Sequence, residues 1–207
     1  MPLSDPTLLA PDYEHISRLR AAGVLVPLDP TRLPSGGWCK ICCPDGHRHP
    51  EHLGFFFDFT KKANQGALTC CHPINILGGP AAVPARSPAH KIECSGLLST
   101  TSEDWVRTDI TRTLPVKGGA IKNMALVSHF PCGMMLTHRV GIVENLTLSF
   151  LAKDRMRELY GDRFSHYKVL LHVEIPGGKF ATYLVNREKF NLYVAMTNEE
   201  ASLAECA

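Results

Sequence analysis

Cys39-x-x-Cys42 is the residue pair in this chain with the clearest chemistry. A two-residue spacer lets two thiolates converge on one zinc ion from a single tight turn. Five of the eight cysteines (Cys39, Cys42, Cys43, Cys70 and Cys71) and four of the ten histidines (His47, His49, His52 and His72) fall between positions 39 and 72. Zinc takes four soft or borderline donors at tetrahedral corners, and two short-range pairs separated by a loop supply them with little chain strain. The expected ligands are Cys39, Cys42, Cys70 and His72, holding a structural Zn2+. Cys43, His47, His49, His52 and Cys71 are alternates, enough for a second ion. No catalytic residue is assigned to this cluster, because Glu51 beside His52 lacks the helical HExxH spacing and Pro50 opposes a helix there.

The chain between the two pairs must fold back on itself to bring them together. Gly54-Phe55-Phe56-Phe57-Asp58-Phe59 and Ala67-Leu68-Thr69 read as strands, joined by the turn-prone Lys61–Gly66 stretch. This arrangement resembles the zinc ribbon, in which two metal-binding knuckles are carried on a small antiparallel sheet. The resemblance rests on the one CxxC pair. Trp38 followed by the Phe55–Phe59 run is also similar to the opening of a WW domain, but the late Trp of that family is missing, so no proline-binding groove is expected.

Residues 12–22 read as a helix with Asp12 as its cap and Gly23 as its left-handed stop. The Gly/Pro-rich stretch 77–90 reads as a linker or surface loop. Beyond it, Val106, Thr108 and Ile110 alternate with polar residues as in a half-buried strand. Further strands are expected at 121–127, 140–143, 146–151 and 190–196. A short helix is expected at 153–160, and Tyr167–Ile175 with Phe180–Val185 forms the clearest hairpin, joined through Pro176-Gly177-Gly178. Thr197 and Glu200 make a capping box for a C-terminal helix. The expected fold is α+β: a small zinc-ribbon-like N-terminal unit followed by a mostly antiparallel β-rich body with a few short helices. The expected divisions are 1–37 (helix and Pro-rich lead-in), 38–76 (zinc unit), 77–90 (linker) and 91–207 (body).

Other candidate chemistry is thinner. His129 lies three residues before Cys132, with His138 beyond, so a cysteine-protease-like reading would use Cys132 or Cys39 as nucleophile and a histidine such as His129 or His172 as base. Lys+Arg is 22 against Asp+Glu 20, a net charge of +2 that argues against a protein built around a strong basic field. A protein partner is therefore favoured. RNA or DNA could be engaged through Lys40, Arg48, Lys61 and Lys62. No apolar run approaches the roughly 20 residues of a membrane span, and no export signal is visible, which points to the cytoplasm or nucleus. The function expected on these grounds is non-enzymatic: a zinc-stabilised binding or assembly protein. Compact size with dense cysteine and histidine also suits a viral accessory or structural component.

Overall fold

Ile121–Phe130 (β6) is buried along its length except at Lys122. A strand covered on both faces belongs inside a sheet with layers above and below, the setting of parallel strands. A computed structural model, which describes residues 6–44, 49–67, 69–92, 100–117, 119–175 and 179–205, shows that setting. The order of the six-stranded sheet is β1 (Leu25–Pro27), β8 (Lys179–Val185), β7 (His166–Ile175), β6, β2 (Gly37–Cys42), β3 (Cys71–Asn75). β3, β2, β6 and β7 run parallel, whereas β8 and β1 are antiparallel additions at one edge. A separate short ladder pairs β4 (Lys91–Ile92) with β5 (Thr100–Thr101).

Six α-helices occur among the described residues: α1 (Pro6–Ala21), α2 (His49–Ala63), α3 (Ser102–Val116), α4 (Gly133–Thr137), α5 (Ile142–Tyr160) and α6 (Arg187–Glu205). Parallel neighbours need a crossover, and helices supply it. α2 carries the chain from β2 out to β3, and α4 with α5 carries it from β6 to β7 on the other side. α2 lays Phe56 and Phe59 on Trp38, with ring centroids 6.4 and 5.7 Å away. The opposite face holds the larger core, where α1, α3, α5 and α6 contribute Leu19, Ile110, Leu146 and Phe190. α5 is the hub of that layer. Ser149 Oγ meets Ser128 Oγ of β6 at 2.7 Å. Arg155 holds Glu103 of α3 through two nitrogens, and Asp154 pairs with Arg187 of α6.

The fold is therefore α/β, not the antiparallel α+β body expected. Nor is 38–76 a ribbon: its strands β2 and β3 are part of the main sheet, and Phe55–Phe59 lies in a helix. Phe56, Phe59 and Ala63 recur at helical spacing on the face over Trp38. Pro50 fits α2 because a first-turn proline gives up no intrahelical hydrogen bond. Four expected strands are helical in whole or in part as well. Val106, Thr108 and Ile110 lie in α3, and 190–196 lies in α6. The apolar residues from 142 to 151 belong to α5, which buries Ile142, Leu146, Leu148 and Phe150 around several sides and so shows no clean period. Residues 78–84 are buried beneath α5 and β6, not exposed as a linker; small Gly and Ala side chains let the segment fit there. The β7–β8 pair and the positive φ of Gly23 stand as expected, whereas the helix expected at 12–22 spans Pro6–Ala21, with Asp12 inside it and not at its cap. The hairpin's turn residues 176–178 lie outside the described residues.

Asp12 caps a helix, but not its own. Its Oδ1 accepts the amide hydrogen of Ile142 at 2.7 Å, closing the N-terminus of α5 from α1. An acidic side chain there satisfies an orphan donor and favours the positive end of the helix dipole. Asp12→Ala should therefore cost about 1 kcal/mol in urea unfolding, and Asp12→Asn, which keeps the acceptor oxygen, should cost less.

Candidate metal centre

β2 and β6 are adjacent, parallel, and send their connections to opposite sides of the sheet. In an open α/β sheet such a switch point leaves a crevice outside the carboxyl ends of the two strands, the place where ligands bind. The register sets Cys42 opposite Val127, so the residues just beyond each strand meet. Cys43 follows β2 directly. His129 is the penultimate residue of β6, and Cys132 comes two residues after its end. The ligand atoms of Cys43, His129 and Cys132 all lie within 4.8 Å of one another, and the three residues are buried. Among the described residues no fourth Cys, His, Asp or Glu joins the group.

The backbone around the three is closely backed. Gly79 has φ +61°, and a Cβ there would stand 3.1 Å from the Cys43 amide nitrogen and 3.4 Å from the Val127 carbonyl oxygen. Only glycine combines that left-handed conformation with so close an approach. Past the cis Phe130–Pro131 peptide, the chain turns at Cys132 into α4, whose Met135 is buried.

The electrostatics of the group favour a thiolate. A hydrogen bond from Cys43 draws the Cys132 thiol down to about 4, helped by the hydrogen bond and charge of His129 and by the Met135 amide, against the upward push of burial. A thiolate is the form that binds metal. The separation within the group also suits an ion. Tetrahedral zinc with 2.3 Å bonds to sulfur places its ligand atoms about 3.8 Å apart, so the three need draw in by about 1 Å at most.

The expected quartet does not come together. On a strand, residues three apart point to opposite faces, so Cys39 faces the α1/α5 side while Cys42 faces α2. A CxxC pair converges only from a turn, and β2 is extended here. Cys42 donates its thiol hydrogen to Asn75 Oδ1 at 3.0 Å. Burial pushes the Cys39 thiol far above its ordinary range, which favours its neutral form. Cys71 packs on the α2 side, where burial pushes its thiol up to about 12, and Cys70 lies against the opposite core. His72 Nε2 contacts Asp109 Oδ1 at 2.5 Å and the Thr113 hydroxyl at 3.0 Å. His47 lies outside the described residues, and so do the side chains of His49 and His52 on α2.

Lys40 is completely buried on β2, its Nζ 5.3 Å from the Phe56 ring centroid, so it offers nothing to a phosphate. Lys61 and Lys62 are exposed in the last turn of α2, where positive charge favours the helix dipole, and Arg48 lies outside the described residues. No described helix is long and apolar enough to cross a membrane. His129-x-x-Cys132 at the end of an expected strand is the signal that could have found the centre. Its third member stands far away in sequence and is joined to it only by the β2–β6 register.

No family model, no curated protein and no solved structure matches this chain. The centre therefore rests on its own geometry.

The pH dependence follows from Cys132. In chelator-treated protein, thiolate absorbance near 240 nm should persist down to about pH 4 and be missing in Cys132→Ser. Because the folded-state value lies below that of an unfolded thiol, about 8.5, the associated stability is complete above that range. It is lost as pH falls toward 4, which urea titrations of Cys132→Ser against the native protein over pH 4–9 would register.

Proposed function

We propose that this is a zinc protein whose ion is held by Cys43, His129 and Cys132. In this reading it is a three-ligand centre with its fourth position left to a small ligand. The supporting observation is the convergence of these three buried donors at the switch point of the parallel sheet. Two sulfurs and an imidazole nitrogen suit zinc, and three protein ligands with one open position is the arrangement of catalytic zinc sites, whereas closed four-ligand sites are structural.

When bound, such an ion supplies Lewis acidity toward water or a small polar substrate. The protein's own groups do the rest. Cys132 presents sulfur already deprotonated, Cys43 adds the second sulfur, and His129 offers its ring nitrogen from the rigid end of β6. Burial keeps bulk water away, which strengthens every charge interaction within the group. A second reading, in which Cys132 acts as a nucleophile with His129, is favoured by the same lowered thiol. The two readings part at the metal, which the first requires and the second does without; Cys43 serves both, as a ligand in the first and as the hydrogen-bond donor that lowers the Cys132 thiol in the second.

Metal analysis by mass spectrometry tests the assignment. The native protein should carry about one zinc per chain. Cys43→Ser and Cys132→Ser should each lower its metal affinity by at least about tenfold, on the scale that even outer-shell changes reach. Cys39→Ser, Cys42→Ser and His72→Ala should keep the metal. Zinc lost from the second group and kept in the first would refute the proposal. Cysteine alkylation that proceeds at Cys132 in the native protein at the same rate with and without a chelator would favour the nucleophile.

A further inference from the structure

A cavity of about 880 Å3 opens at the carboxyl ends of β2 and β3, beside the metal centre but lined by none of its three donors. Pro44 and Ile76 at the strand ends, Met134 of α4 and Trp105 of α3 form its walls. Its size is that of a pocket for a small organic molecule, and its walls are chiefly apolar, as such pockets are.

Four of the polar side chains that line the cavity each make a hydrogen bond within the protein. Ser102 Oγ donates to the Ala89 carbonyl at 3.3 Å, and Ser87 Oγ accepts the Ala89 amide hydrogen at 3.3 Å. Asn75 Oδ1 takes the Cys42 thiol hydrogen, and His90 Nδ1 donates to the Val83 carbonyl at 2.8 Å. Ile76, Ala89 and Ser102 are buried at its base. Lys91 and His138, by contrast, are exposed at its mouth, and among the described residues neither side chain has a hydrogen bond or ion-pair partner. No Asp or Glu lines the cavity among those residues. Trp105 is 52 % exposed and Leu77 58 %, a large apolar exposure at the same rim. Single exposed apolar residues are ordinary, and these two add apolar surface to the rim of a concave apolar wall.

We propose that this cavity binds an organic anion with an extended apolar body: the hydrocarbon packs between Met134, Ile76 and Trp105, and the carboxylate stays at the mouth with Lys91 and His138. A chiefly apolar interior disfavours a second polar end, because burying it without a partner costs free energy. Lys91 and His138, with no Asp or Glu beside them in the lining among the described residues, then choose the sign of the charge that remains outside. The site stands apart from the zinc assignment.

Decanoate and decylammonium, which share one apolar body and differ in charge, are the probes. Calorimetric titration should show decanoate binding at least about tenfold more tightly than decylammonium, a difference of about 1.4 kcal/mol. Decanoate should also shift tryptophan emission to the blue through Trp105, since Trp38 is already fully buried, and the shift should vanish in Trp105→Phe. The double variant Lys91→Glu/His138→Glu alters only exposed positions, so it should fold and should reverse the preference. The proposal is overturned if the two probes bind alike, if decanoate does not bind at about millimolar concentration, or if the double variant keeps the preference for decanoate. Decanoate binding that disappears when zinc is chelated would place the anion on the metal centre and would overturn it too.

Discussion

The parallel ladder between β2 and β6 is the constraint on which the remainder depends. It fixes which residues emerge together at one end of the sheet, because pairing Cys42 with Val127 leaves no freedom for Cys43 and the His129–Cys132 turn to miss each other. A slip of one residue would turn every side chain of β2 to the other face. Trp38 would leave the aromatic cluster under α2, and Cys39 and Ile41 would leave the main core. Packing on both faces therefore enforces the register, and the register assembles the centre.

The layers above and below the ladder serve that register in different ways. On one face, α2 seals Trp38 with two phenylalanines and encloses Lys40 and Cys42. On the other, α5 ties the sheet to α1, α3 and α6 through hydrogen bonds and ion pairs at its start, middle and end. Between α5 and the strands, the segment around Gly78 and Gly79 replaces side-chain volume with close backbone contact behind Cys43. The same chain then runs on to the cavity wall at Ser87, Ala89 and Lys91. One irregular stretch thus backs the centre and shapes the neighbouring pocket. That accounts for its burial despite a composition typical of linkers.

Local rules read some elements correctly and failed where burial replaced pattern. β7, β8 and the stop at Gly23 carry clean signals: alternation, a Pro-Gly-Gly connection, and a residue at positive φ. α5 carries no such signal, since a helix in contact on several sides keeps apolar residues all round and its β-branched stretches imitate strands. The phenylalanines of α2 looked like a strand because four aromatics in five positions satisfy either period. The metal site failed for a related reason. Spacing rules assume that neighbouring ligands converge from a turn, and an extended backbone at Cys39–Cys42 sends them apart.

By itself, the sequence determined the chemistry on offer: an excess of sulfur and imidazole donors in a chain of nearly balanced charge, suited to a soft or borderline metal ion. It also set His129 and Cys132 three residues apart just past an expected strand, a pair that reads as base and nucleophile and not as metal ligands. Only the tertiary structure decided which donors meet. Cys43 and Cys132 are separated by two crossovers, and the energy that joins them is spread over the whole β2–β6 interface and its two covering layers. No local pattern around either cysteine carries it.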